Sequence, residues 1–209
     1  VIFVPGNHDW NDSRPGGLAR VRAQGDLIER LSGAAQVARL LPPDGCPGPT
    51  IVDLGSVVRL VAIDTEWLLT DDAPALKPFG AGTGCGFGAQ DAPTPFVGAL
   101  TRETFYRALR QVLQATTLPV VLLSHHPLRS RGPHGGHLRG SGLPYIWPLL
   151  QRLRPRSQDF GSDINREMRA SLDAALQQAT GSVVVAAAGH DHSLQVFDDP
   201  SNVYYVVSG

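Results

Sequence analysis

The sequence predicts an α/β fold in which a mixed β-sheet is flanked by helices. Short apolar runs, which are typical of buried strands, alternate along the chain with segments of helical periodicity. The last two predicted strands form a hairpin, so the sheet should contain both parallel and antiparallel pairs. A length of 209 residues suits one domain, and we expect residues 1–209 to form a single domain.

The first half of the chain begins with a predicted strand and a predicted helix. Val1–Val4 is an apolar run, and Gly17–Leu31 has a loose helical stripe. Thr50–Asp53 and Val57–Asp64 are predicted to form a hairpin. Pro74–Pro95 is rich in Gly and Pro, which predicts a long surface loop. The helical stripe of the first helix comprises Leu18, Val21, Leu27, Ile28 and Leu31.

Three further helices are predicted in the second half. Arg102–Ala115 has apolar residues on one face, and Thr101 before it is a suitable N-cap. Tyr145–Leu153 is predicted to be a short helix. Ile164–Ala179 has the clearest apolar stripe in the chain.

The predicted strands of the second half are Val120–Leu123, Val183–Ala188 and the pair Leu194–Phe197 and Val203–Val207. The first two are apolar runs of buried strands, and the last two flank a turn as a hairpin does. All seven histidines fall into three clusters, each of which follows an apolar run. Functional loops of α/β proteins lie at the carboxyl ends of strands, so the three clusters are expected to meet in one site.

Composition excludes some classes of function. The net charge is −1 without a block of basic residues, so no surface for nucleic acid is predicted. No apolar run approaches the length that spans a bilayer.

Cys46 and Cys85 lie in Pro/Gly-rich loops, and their spacing excludes a zinc finger. The two cysteines either form a disulfide, which would imply a periplasmic or secreted protein, or remain unpaired thiols. No feature predicts the oligomeric state.

The histidine clusters carry residues that suit a transition metal, because neutral imidazole is a strong ligand. His190 and His192 are one residue apart, so an extended backbone can direct both rings to one side. His125 could supply a further ligand and Asn7 a carbonyl oxygen, while His8 could donate a proton. Nitrogen and oxygen donors suit Zn, Mn or Fe better than Cu(I) or Ca.

Three motifs in order give the chain a resemblance to a known family. Gly6-Asn7-His8-Asp9, His125-His126-Pro127 and Gly189-His190-Asp191-His192 resemble those of the calcineurin-like metallophosphoesterases. More narrowly, the chain resembles the purple acid phosphatases of the tartrate-resistant type. In that branch the last motif is followed by Leu-Gln and a hairpin that ends in Ser-Gly, as in Leu194-Gln195 and Ser208-Gly209. The resemblance implies a four-layer α/β/β/α sandwich.

The resemblance also implies an activity, which is acid-phosphatase-like hydrolysis of phosphoric monoesters in a small phosphorylated substrate. The cofactor would be a dinuclear centre of Fe, Zn or Mn ions with a metal-bound hydroxide as nucleophile. Asn7, His125 and His190 would bind one metal, and His192 would bind the other. A phosphodiesterase of nucleotide or lipid esters and a catalytically silent metal-binding chain are the alternatives.

Two histidines are implied to act on the substrate. His8 would contact the phosphate and protonate the leaving alkoxide, and His134 is a second candidate for that contact. His126 is predicted to orient its neighbour or line the cleft rather than bind metal. Asp64 is predicted to have a structural role.

The chain departs from the family pattern at its beginning. The family carries an Asp-x-His motif and a Gly-Asp-x-x-Asp or Gly-Asp-x-x-Tyr motif upstream of the asparagine, whereas only six residues precede Asn7. We therefore expect this chain to be a truncated catalytic domain of a longer enzyme, weakly active or inactive by itself.

Overall fold

A computed structural model of the chain describes residues 1–35, 37–89, 94–95, 98–132, 157–180, 184–199 and 202–209. The helices are α1 (Gly17–Ser32), α2 (Thr65–Leu69), α3 (Arg102–Gln114) and α4 (Asp163–Leu176). The strands are β1 (Ile2–Phe3), β2 (Arg39–Leu40), β3 (Thr50–Leu54), β4 (Val58–Ala62), β5 (Gly86–Ala89), β6 (Thr94–Pro95), β7 (Val120–Ser124), β8 (Val184–Ala188), β9 (Leu194–Asp198) and β10 (Val203–Ser208). The helix predicted at Tyr145–Leu153 lies outside the described residues.

A mixed sheet organises the described part of the chain, with the strand order β6-β5-β3-β4-β7-β8-β10-β9. Strands β4, β7, β8 and β10 are parallel neighbours, whereas β3 and β9 are antiparallel to β4 and β10. Strands β1 and β2 form a separate parallel pair. The predicted α/β class with a mixed sheet is thereby confirmed, and so are both hairpins. The four-layer stacking stays a prediction.

Apolar patterning explains why α3 and α4 pack on this sheet. The hydroxyl of Thr101 accepts a hydrogen bond from the Thr104 backbone N–H at 3.2 Å, so the predicted N-cap of α3 is confirmed. In β7, alternate side chains are buried, as expected of a strand that presents one face to a core. The buried cluster that joins the two helices to β7 and β8 includes Phe105, Leu109, Val112, Leu113, Val120, Leu122, Met168, Leu172, Val184 and Ala186.

The predicted apolar stripe of α1 is wrong in part. Val21 is buried and Ile28 packs against the core, but 47% of Leu27 and 78% of Leu31 are exposed. At about 100° per residue, Val21 and Ile28 lie roughly 20° apart around the helix, whereas Leu27 and Leu31 lie roughly 60–120° away from these two residues. The helix therefore buries a stripe that is narrower than the periodicity indicates.

The prediction of a loop throughout Pro74–Pro95 is also wrong, because β5 and β6 lie within it. Strand β5 pairs with β3 in the register Thr50 to Gly88, and such backbone hydrogen bonds need no apolar pattern.

Helix α2 was not predicted. All five of its residues are buried, so it lacks the amphipathic period that marks a surface helix.

Cys46 and Cys85 form a disulfide, which decides between the two alternatives that the sequence left open. Their Cα atoms are 5.6 Å apart, a usual separation for a disulfide. A disulfide is compatible with an extracellular location, because such bonds persist in oxidising compartments. Among the helices in the described ranges, none is long and apolar enough to cross a bilayer.

The disulfide should stabilise the fold by constraining the unfolded chain. It joins residues 39 positions apart. For a loop of that size, replacing both cysteines by alanine should lower the free energy of unfolding by about 3–4 kcal/mol. Urea unfolding of the wild type and the double variant measures this difference. The wild type unfolded with a reductant should behave like the variant, and an unchanged unfolding midpoint in both cases would contradict the expectation.

Candidate metal centre

Two of the predicted ligands lie at the ends of neighbouring parallel strands. Ser124, the last residue of β7, is in register with Ala188, the last residue of β8. The Gly189 N–H then donates a hydrogen bond to the His125 carbonyl oxygen at 3.1 Å. His190 follows with a φ of 64°, a left-handed conformation that is uncommon for residues other than glycine. The strand ends thus bring His125 and His190 to one edge of the sheet.

The turn after β1 brings Asn7 to the same place. The Gly6 carbonyl accepts hydrogen bonds from the backbone N–H groups of Asp9 and Trp10 at 3.1 and 3.2 Å. The Asp9 carboxylate accepts from the Gly6 N–H at 2.7 Å, so it stabilises the turn. A Cβ atom on Gly6 would lie 2.6 Å from the His125 ring. Glycine is therefore needed here for the turn to approach that ring.

Donor atoms of three predicted ligands converge. The His125 Nε2 atom lies 2.9 Å from the Asn7 Oδ1 atom and 3.1 Å from the His190 Nδ1 atom. Around a cation with bonds of about 2.1 Å, adjacent ligand atoms lie about 3.0–3.4 Å apart. These two spacings match those of adjacent ligands of one transition-metal ion, with two nitrogen donors and one oxygen donor. Asn7 and His190 are buried, and His125 is half-buried.

His126 is a further donor at this position. Ligand atoms of His125, His126 and His190 all lie within 4.8 Å of one another. The buried His126 ring has its Nδ1 atom 2.9 Å from the Thr65 Oγ1 atom and its Nε2 atom 3.5 Å from the Glu66 Oε2 atom. The sequence predicts that His126 orients its neighbour or lines the cleft and does not bind metal. The adjacent His-His pair was the one signal in the sequence for a larger imidazole cluster.

Two buried carboxylic acids lie in the chain on either side of Thr65, whose hydroxyl contacts His126. Asp64 accepts hydrogen bonds from the Trp10 Nε1–H at 2.7 Å and from the Trp67 backbone N–H at 3.1 Å, which agrees with its predicted structural role. Burial raises the pKa of Asp64 to about 8. Burial also raises the pKa of Glu66, although hydrogen bonds from Ser13 and Gln158 oppose that shift. The sequence does not single out Glu66, because nothing in its neighbourhood resembles a motif.

The remaining predicted site residues lie elsewhere or outside the described residues. His8 follows Asn7, exposes 88% of its side chain and has its Nδ1 atom 3.7 Å from the Asp12 Oδ1 atom. His192 is exposed and does not belong to the cluster of three histidines. His134 lies outside the described residues. The roles predicted for these three histidines stay predictions.

No protein-family model and no curated protein matches this chain. Among solved structures, it is similar to a dimetal phosphatase from Danio rerio, with 14% sequence identity and a TM-score of 0.38. The match covers 75% of this chain and 47% of that chain, so this chain spans about half the length of that phosphatase.

The buried Asp64 should make stability depend on pH. Its pKa is about 8 in the folded state, compared with an ordinary value of 3.8. Between pH 3.8 and about pH 8 the folded state therefore binds more protons than the unfolded state. Stability should therefore fall as the pH rises from about 5 to about 8. Asp64→Asn keeps a neutral side chain of the same shape and should remove this component.

Urea unfolding midpoints of the wild type and Asp64→Asn at both pH values measure the effect. Asp163→Asn is the matched control, because 92% of the Asp163 side chain is exposed. An equal decline in the wild type and in Asp64→Asn would show that Asp64 is ionised in the folded protein.

Proposed function

We propose that this chain is a metallophosphoesterase catalytic domain that hydrolyses phosphoric monoesters in a small phosphorylated substrate. The observation that carries the proposal is that Asn7 Oδ1 and His190 Nδ1 lie 2.9 and 3.1 Å from the same atom, His125 Nε2. The order of the three motifs, which resembles that of the calcineurin-like family and of its purple acid phosphatase branch, supports the choice of substrate class.

Asn7, His125 and His190 would hold the first cation, with His126 as an adjacent donor. An Fe, Zn or Mn ion there would polarise a phosphoryl oxygen and acidify a water molecule. The parallel strand ends hold the two imidazoles at fixed positions, so little reorganisation is needed when charge develops on the substrate. Neutral donors leave the positive charge of the cation available to a phosphate dianion.

His8 would act on the leaving group. It is next to Asn7 in the chain, and its largely exposed ring is accessible to substrate from solvent. A protonated imidazole at this position can contact a phosphate oxygen and donate a proton to the departing alkoxide. His134 is a second candidate for the same contact, on the basis of the resemblance.

The proposal includes a second cation, with His192 as a ligand. Among the described His, Cys, Asp and Glu residues, one group has the spacing of a metal site. This observation favours a second candidate function, in which the chain as given binds metal without hydrolysing esters.

We also propose that the chain belongs to a periplasmic or secreted protein. The disulfide between Cys46 and Cys85 supports this location, because cytosolic thiols are kept reduced. A protein exported in this way would meet small phosphate esters outside the cytoplasm.

Metal content and substrate preference together test the proposed function. After loading with Zn²⁺, Mn²⁺ or Fe²⁺ and desalting, the wild type should retain at least one cation per chain and cleave para-nitrophenyl phosphate faster than its bis ester. His190→Ala should lose most of the metal and the activity, since it removes a ligand. Faster cleavage of the diester would favour the phosphodiesterase, and bound metal without cleavage would favour the silent domain. Unchanged metal content in His190→Ala would contradict the site.

His8→Ala separates proton transfer from metal binding. Loss of a general acid should lower the turnover number by roughly 10²-fold, while the metal content stays at the wild-type level. His192→Ala is the comparison, because the loss of a ligand should change metal content. A His8→Ala turnover number equal to that of the wild type would remove His8 from the mechanism.

A further inference from the structure

The carboxamide of Asn7 is held from its nitrogen side. Its Nδ2 group donates one hydrogen bond to the Asp12 Oδ1 atom at 3.1 Å and another to the Gln158 Oε1 atom at 3.2 Å. Both amide protons are therefore used. Rotation of the carboxamide by 180° would place its oxygen against two acceptors. The two bonds thus keep Oδ1 facing His125.

Gln158 is itself fixed by buried neighbours. Its Nε2 group donates to the Glu66 Oε1 atom at 3.2 Å, and its backbone carbonyl accepts from the Asn165 Nδ2 group at 3.0 Å. Gln158 is 8% exposed, and Glu66 and Asn165 are completely buried. The Gln158 side chain therefore has one donor and one acceptor contact that set which end faces Asn7.

The other partner of Asn7 lies in an unusual turn. Asn11, Asp12 and Ser13 have φ values of 55°, 54° and 58°, so three successive residues adopt the left-handed conformation that side chains disfavour. The Ser13 hydroxyl donates to the Glu66 Oε1 atom at 2.5 Å. This bond helps to hold the turn, and with it Asp12, against Asn7.

The two partners of Asn7 are both linked to one carboxylate oxygen of Glu66. Glu66 Oε1 accepts from Gln158 directly and from Ser13, the neighbour of Asp12. Glu66 does not belong to the group of described residues whose donor atoms all lie within 4.8 Å of one another. Its geometry therefore suits the support of a ligand better than ligation in that group.

We propose that Gln158 and Glu66 are positioning residues that orient the Asn7 carboxamide toward the cation. The inference rests on the proposed function, because it assumes that Asn7 is a ligand. Partners that orient a metal ligand typically change metal affinity by about 10–100-fold when they are replaced. The network should thus control the affinity of the site without contact with the metal.

Gln158→Leu tests the inference with Zn²⁺ as the probe. It removes the acceptor for Asn7 Nδ2, so the Kd for Zn²⁺ measured by calorimetry should rise by about 10–100-fold. The absorption bands of Co²⁺ bound at the site should also shift, since the oxygen ligand is less well held. Gln178→Leu is the matched control, because Gln178 is exposed and its side chain accepts a bond from Gln114 at 3.4 Å.

An exchange of the amide and the carboxylate between positions 158 and 66 distinguishes positioning from general stabilisation. Gln158→Glu keeps the acceptor for Asn7 but places a carboxylate against that of Glu66, so the Kd for Zn²⁺ should rise. Adding Glu66→Gln supplies a donor to the carboxylate introduced by Gln158→Glu, while the Ser13 hydroxyl can donate to Thr70, 2.8 Å away. The double variant should therefore recover most of the affinity. This rescue decides the question even where Gln158→Leu does not fold.

The outcomes separate the inference from the proposed function. Zn²⁺ binding by the wild type with an unchanged Kd in Gln158→Leu would overturn the inference and leave the metal site intact. A double variant no better than Gln158→Glu would also overturn it. Failure of the wild type to bind Zn²⁺ or Co²⁺ would overturn the proposed function and the inference with it.

Discussion

The close approach of the Gly6 backbone to the His125 ring is the constraint on which the candidate metal centre depends. Strands β1 and β7 belong to different sheets, and a Cβ atom on Gly6 would lie 2.6 Å from the His125 ring, so the two chain segments need a glycine at this position. The parallel pairing of β7 with β8 then sets His190 beside His125. Three segments that are far apart in sequence thus contribute one donor each, and the 2.9 Å contact of Asn7 with His125 is the result.

Polar groups buried under this centre explain how the arrangement is maintained. Burial of a carboxylate is costly unless hydrogen bonds satisfy it, and Asp64 and Glu66 both accept such bonds. Asp64 anchors Trp10, and Glu66 anchors Ser13, so the loop that follows Asn7 is tied both to α2 and to Asp64, the residue that caps it. A short helix with no apolar periodicity thereby supports the loop that carries the predicted ligand and the predicted acid.

Much of the fold and part of the site could be predicted from the sequence, for a local physical reason. Buried strands need apolar runs, and the ends of parallel strands share an edge, so the motifs around His125 and His190 indicated a common site. Asn7 reaches this site from a separate sheet, which the pattern of the sequence does not indicate. The contacts of Gln158 could not be predicted, because it lies 151 positions from Asn7 and no pattern marks a side chain that is oriented by tertiary contacts. Strand β5 was missed for the same reason, since its pairing depends on backbone bonds to β3.

The position of a bound cation is the most direct test of this arrangement. Crystals of the protein loaded with Mn²⁺ or Zn²⁺ would locate the ion by its anomalous scattering. We expect a peak about 2.0–2.2 Å from the Asn7 Oδ1, His125 Nε2 and His190 Nδ1 atoms. Density for the ion elsewhere, or loaded crystals in which these three atoms lie too far apart to share it, would contradict the assignment of the metal centre.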